Sequence, residues 1–349
     1  MTQLAQAGRR GPVAAWLLVC CALVFAMIVL GGVTRLTRSG LSIVEWQPIM
    51  GAIPPLTEQQ WETEFEKYKQ TPEYLKVNYG MSLAEFKEIF WVEYAHRLLG
   101  RTIGVAFIVP FLYFLMRKRI GRELVPKLAG LFVLGGMQGA LGWYMVASGL
   151  VEDPRVSAYR LTAHLGVAVI IYGCMFLVAL DLLYPQARPA PARVRRYALA
   201  LTALVFVTIL AGGFVAGTRA GFVFNTWPLM YGRLVPEGLY ALSPWWLNLF
   251  ENVATVQFNH RLLAYAVVIA TVLLWALVRR TAATPRARTA AHLLLAAVAL
   301  QFGLGIATLL AVVPVPLGAA HQGGALLVLT AALFLNHALR KGAASSALR

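Results

Sequence analysis

The chain has 349 residues, 59% hydrophobic and only 13% charged, with a mean hydropathy of +0.66. That combination excludes an ordinary soluble domain and points to a polytopic membrane protein. The formal net charge of +16 would suggest nucleic acid in a soluble protein, but the placement of the charges assigns it elsewhere.

Eight apolar segments reach the roughly 20 residues that a helix needs to cross a bilayer core. They lie at 13–33, 92–116, 127–147, 161–182, 198–217, 254–278, 289–312 and 317–339. The first is read as a retained span, because it is long and no small-x-small cleavage site follows it. The long loop 34–90 carries Thr57 to Gln70, with a capping-type start and with Trp61, Phe65 and Tyr68 on one side. This segment, 57–70, predicts a short amphipathic helix on the outer face.

Lys and Arg set the orientation. The N-tail, 117–127, 188–196, 279–288 and the tail from Arg340 hold more than half of the 31 basic residues. The opposite loops hold most of the acids, among them Glu45, Glu62, Glu73, Glu85, Glu152, Asp153 and Glu251. By the positive-inside rule both termini are expected in the cytoplasm. The positive charge then belongs beside lipid headgroups, and nucleic acid drops out as a partner. Cys20, Cys21 and Cys174 form no Cys-x-x-Cys pair and are expected as small buried side chains.

The chain repeats itself. Gly31-Gly32 with Thr37-Arg38, Gly40 and Trp46 match Gly212-Gly213 with Thr218-Arg219, Gly221 and Trp227. His96-Arg97-Leu98-Leu99 matches His260-Arg261-Leu262-Leu263, Gln138 and Gly142 match Gln301 and Gly305, and Ala163-His164 matches Ala320-His321. Matches in the same order predict duplication of a four-helix unit. The fold class expected is an all-α membrane protein, two tandem four-helix bundles related by a pseudo-twofold along the membrane normal. The halves are 1–190, which includes the loop 34–90, and 191–349. The offset is 181 at Gly31/Gly212 and 164 at His96/His260, which places the extra length in the first outer loop.

His96, His164, His260 and His321 fall near the starts of four helices running in one direction, roughly 5–12 Å below the outer surface at 1.5 Å per residue. Two histidines per unit at one depth are arranged to clamp a planar cofactor, and neutral imidazole is a usual ligand of haem iron. His292 and His337, at the opposite ends, have no counterparts and read as helix-terminal histidines. Arg97 and Arg261 follow the ligand candidates directly, while Arg38 and Arg219 lie just outside their helices. Each could pair with haem propionates or snorkel to headgroups. Three residues before the histidine the copies differ, Glu93 against Gln257. A carboxylate can move a proton and an amide cannot, so Glu93 is the candidate catalytic group. A salt bridge from Glu93 to Arg97 is the alternative.

The segments EYAHRLLGR (93–101), QGALGWYMVASGL (138–150), LTAHLG (161–166), GTRAGFVFNTWPLM (217–230), NHRLLAY (259–265) and PLGAAHQG (316–323) resemble the heme A synthase family. The resemblance covers nearly all eight helices in order. It implies a bacterial inner-membrane oxidoreductase of cytochrome oxidase biogenesis. Such an enzyme takes heme O from heme O synthase and oxidises its C8 methyl to the formyl group of heme A through alcohol and diol stages. It implies that His96 and His164 belong to the heme O/heme A site, that His260 and His321 hold heme b, and that Glu93 is required. Some members carry a cysteine pair in the first outer loop, and this chain has none there. The electron donor or acceptor and any homo-oligomer are left open. A b-type electron carrier and a two-repeat transporter stand as rival readings.

Overall fold

The computed structural model describes residues 3–47, 50–151, 154–184, 190–281 and 283–340. Glu152, Asp153, Arg188, Lys341 and Arg349 of the charge map lie outside them. The described residues form helices α1 (Gln3–Leu36), α2 (Glu58–Lys69), α3 (Pro72–Lys76), α4 (Leu83–Met116), α5 (Val125–Ala147) and α6 (Ala158–Leu183). They continue as α7 (Ala192–Gly217), α8 (Val253–Arg279), α9 (Pro285–Leu310) and α10 (Val315–Leu339). Eight of these, all but α2 and α3, are long and apolar enough to cross a membrane, as hydropathy predicts.

The predicted outer helix is α2. Thr57 caps it in a capping box with Gln60, and Trp61, Phe65 and Tyr68 are buried. What they pack on was not foreseen. α4 begins at Leu83, well before the expected 92, because Ser82 and Glu85 form a second capping box. Its extra turns supply Phe86 and Phe90, which join Tyr94 and the α2 aromatics in one cluster. The charges of Glu85, Lys87 and Glu88 hide these turns from a hydropathy reading, although the aromatics recur at the 3.6-residue spacing of one face.

α1 packs against α4, α6 and α10, and α7 against α6, α8 and α10, while α5 and α9 flank α6 and α10. Accordingly 44% of the most apolar window of α1 and of α6 is buried, against 6% in α5. The single large core runs along this central group. Outward-facing Val105, Val109, Ile269 and Leu273 stay exposed, as a lipid-facing surface requires. Alternation of the spans puts the loops 37–82 and 218–252 at the same end, with the starts of α4, α6, α8 and α10. Cys20 and Cys21 are buried but Cys174 is exposed, which corrects its expected burial: its face of α6 points away from the core.

Candidate functional site

The four repeat-matched histidines gather at this loop end, each beside a glycine of a neighbouring helix. His96 of α4 faces Gly31 of α1, where a Cβ would stand 3.3 Å from Nε2. His260 of α8 faces Gly212 of α7, where a Cβ would stand 3.2 Å from Cε1. His164 and His321 lie against Gly142 and Gly305, at 2.9 and 2.8 Å from a Cβ built there. At Gly142 and Gly305 a Cβ would stand closer to the ring than real Cβ atoms come, and at Gly31 and Gly212 it would be tight, which is a physical reason for these glycines. His96 and His164 lie in the same region, and so do His260 and His321.

Two residues matched between the halves gain a specific place. Gln138 Nε2 donates to the carbonyl of His164 at 2.9 Å, and Gln301 Nε2 to that of His321 at 2.8 Å. Gln301 also reaches His321 Nδ1 at 3.0 Å. Both amides hold the turn that presents an imidazole. The repeat singled out both glutamines, but their partners are not readable from sequence.

A bidentate ion pair holds Glu93, which is 3% exposed. Arg97 donates to Oε1 through Nε at 3.0 Å and Nη2 at 2.7 Å. Oε2 accepts from Ser42 Oγ at 2.7 Å and from the Ile43 N–H at 2.9 Å. Arg97 in turn donates to the carbonyls of Ile43 and Glu45. The pair therefore pins the loop after α1 to α4. The second half builds the same joint with reversed polarity: Gln257 Nε2 donates to the Ala220 carbonyl at 2.9 Å, and Arg261 Nη2 donates to Gln257 Oε1 and the Phe224 carbonyl. Ile43 and Phe224 are themselves matched at the offset of 181, and each carbonyl lies 2.8 Å from its arginine. A carboxylate only accepts, whereas an amide also donates. The Glu/Gln difference is thus matched by which loop group, an N–H or a C=O, faces it. Arg38 and Arg219 share one more local feature, a left-handed backbone with φ of 54° and 58°.

The arrangement suits haem better than a bare metal ion. Among the described residues no group of three or more His, Cys, Asp or Glu could hold an ion. Two imidazoles suffice as axial ligands when a macrocycle supplies the other nitrogens. His164 Nδ1 and His260 Nδ1 are buried without a partner, which leaves each ring a nitrogen able to offer its lone pair. Arg261 keeps Nε and Nη1 buried and unbonded, donors that fit a carboxylate such as a propionate, whereas Arg97 is largely consumed by Glu93 and the loop. His337 sits elsewhere, 3.1 Å from Asp181 at the far end of the bundle, and His292 accepts from Trp275.

The chain matches the cytochrome oxidase assembly protein family (COX15-CtaA) over residues 14–333. It is 58% identical over 334 residues to the heme A synthase of Nitrosospira multiformis, covering 95% of this chain and 94% of that protein. It is 53% identical to the heme A synthase of Nitrosomonas eutropha, covering 93% and 92%, and 52% identical to that of Parvibaculum lavamentivorans, covering 94% of each. A family model that spans most of the chain, and relatives of more than 50% identity matched over nine-tenths of it, lead to one conclusion: the chain belongs to the cytochrome oxidase assembly protein family.

Proposed function

We propose that this protein is a heme A synthase, which oxidises the C8 methyl of heme O to the formyl group of heme A through alcohol and diol intermediates. The observation that carries the reading is the doubled site: two imidazole pairs, each cradled by glycines and braced by a glutamine. His96 and His164 would take the iron of the substrate heme O in the half 1–190. His260 and His321 would hold heme b in the half 191–349, with Arg261 on a propionate. Bound there, heme b supplies one-electron redox chemistry. The clustering of Lys and Arg supports cytoplasmic termini and a bacterial inner membrane, with the histidines toward the outer face.

The role assigned to Glu93 is to hold and pass a proton at Oε2. Of its four donors only the Ser42 hydroxyl can turn away freely. The Ile89 carbonyl, 3.4 Å from Ser42 Oγ, offers that hydroxyl a second acceptor. Rotation toward Ile89 would free Oε2 for a proton while Arg97 keeps Oε1 in place. A second reading is favoured by the saturated bonding itself: Glu93 acts only as the pin of the loop.

The test of the function is haem extraction from the purified protein, produced in a host able to make heme O. Heme A together with heme b is expected. Heme b alone would make the chain an electron carrier, and a colourless protein would return it to the transporters.

A further inference from the structure

The two histidine sites share their candidate ligands but not their surroundings. In the second half the seam between α8 and α9 is filled. Tyr265 of α8 meets Phe302 of α9 with ring centroids 5.5 Å apart, and the Trp227 indole N–H donates to the Tyr265 hydroxyl at 3.1 Å. Val298, one turn from Phe302 on the same face, is 4% exposed. Val268, one turn from Tyr265, packs against the core.

The matched positions of the first half leave the seam open. The offset of 163 that relates Gln138 to Gln301 puts Gly139 at Phe302 and Gly135 at Val298. The offset of 164 that relates His96 to His260 puts Gly104 at Val268 and Arg101 at Tyr265. Arg101 turns to the loop, where it donates to the Gln47 carbonyl at 2.8 Å. A Cβ built on Gly104, Gly135 or Gly139 would meet nothing within 4 Å. Aromatic pairs bound the groove at both ends. Trp46 and Trp143, 5.6 Å apart and each about half exposed, stand at its loop end, and Phe107 stacks on Phe132 at 6.2 Å at the other. Phe107 lies 11 residues past His96 and Phe132 10 before Gly142, so the groove runs about 15 Å at 1.5 Å per residue. It begins at the turn of Gly142, against which His164 lies with Nδ1 buried and unpartnered.

We propose that this groove takes the isoprenoid chain of heme O, and that Phe302, Val298 and Val268 are specificity-determining residues that keep such a chain out of the second site. The proposal deepens the reading of the chain as a heme A synthase and rests on it. Heme O and heme b present the same iron and the same propionates. They differ in a long apolar isoprenoid chain, which stands in heme O where heme b has a vinyl group. Histidines repeated in both halves cannot tell the two apart, so discrimination falls to shape. An apolar pocket favours the group it has room for and rejects one it has not. The most apolar window of α5 is only 6% buried, so the groove opens sideways to the acyl chains of the bilayer. An isoprenoid can enter there without crossing water, which is its favoured route.

The test is binding rather than turnover. Protein from a host that makes heme b but no heme O is titrated with heme O, and with heme b as competitor, and the retained haems are extracted and quantified. Gly139→Phe combined with Gly135→Val should weaken heme O binding by about 10–200-fold and leave the competing heme b unaffected. In a His164→Leu background, which leaves the second site alone, Phe302→Gly combined with Val298→Gly should raise the binding of heme O relative to heme b by a similar factor. Heme O binding that is indifferent to Gly139→Phe with Gly135→Val, or weakened no more than heme b, overturns the proposal. If that variant binds neither haem, the second arm decides: a preference for heme b unmoved by Phe302→Gly with Val298→Gly overturns the proposal, and a relaxed preference upholds it. Wild-type protein that retains no heme O overturns the functional reading instead, and the groove assignment falls with it.

Discussion

Replacing Glu93 by Gln makes the first copy like the second at the one position where their joints differ in charge. The amide can still accept from Arg97 through its oxygen, but without a charge the two short bonds weaken, by about 1–2 kcal/mol for a partly exposed pair. Its NH2 group then points at the Ile43 N–H, which sits 2.9 Å from the present Oε2. Two donors face each other, and the stranded N–H costs about 1–3 kcal/mol. The expected loss of stability is therefore about 2–5 kcal/mol, read as a lower melting temperature in detergent, with the b-type haem spectrum retained. If Glu93 also moves protons, heme A formation should fall by about 10²–10⁴-fold, the usual range for a general acid or base, with heme O or its alcohol accumulating in the extracted haems. A loss of only a few-fold beside the full drop in stability would refute proton transfer and leave Glu93 as a pin. The reverse change, Gln257→Glu, is not silent either. It sets a carboxylate against the Ala220 carbonyl where an N–H stands at 2.9 Å, and should destabilise the second half by about 1–3 kcal/mol.

Gly305→Val should displace His321, since even a Cβ would stand 2.8 Å from its ring, and should remove the b-type Soret band as His260→Leu or His321→Leu would. Gly303→Ala, with nothing within 4 Å, should leave the band intact. Gln301→Leu should weaken retention of heme b by about 10–100-fold, the range for losing an orienting partner, measured by haem transfer to an apoprotein acceptor. Glu73 of α3 is 3% exposed, and burial raises its carboxyl from 4.5 to about 7, so the folded state binds the extra proton and loses stability as pH rises between those values. Glu73→Gln should therefore melt higher than wild type by about 3 kcal/mol above pH about 7 and match it near pH about 4. Tags on both termini should react only from the cytoplasmic side, and a cysteine placed at Glu62 only from the other. The reverse labelling would overturn the orientation.

Much of the fold was legible because bilayer spans announce themselves by length and hydropathy, and the histidines stood out through their repetition. The pairing of Glu93 with Arg97 was legible too, as an i,i+4 contact on one helix. Its other half was not. Ser42 and Ile43 lie some fifty residues away in sequence, and only the fold brings that loop to α4. The start of α4 was missed because a helix that leaves the membrane and continues over an aqueous surface changes composition without changing conformation. Glu73 was hidden for the opposite reason. Among so many loop acids, nothing local tells a buried one from its exposed neighbours.

One contact carries a historical implication. Arg35 Nη2 donates to the Ala216 carbonyl at 3.0 Å, across a separation of 181 residues, the same offset that relates Gly31 to Gly212. On the proposed duplication these are one position in two copies, and a residue touches its own counterpart only on the axis of an isologous dimer. The ancestor would then have been a homodimer of four-helix subunits, each obliged to carry identical joints. Joining the subunits end to end removed that obligation. One copy could then carry Gln257 and the other Glu93 with a longer loop, a difference that a symmetric pair of identical chains could never have held.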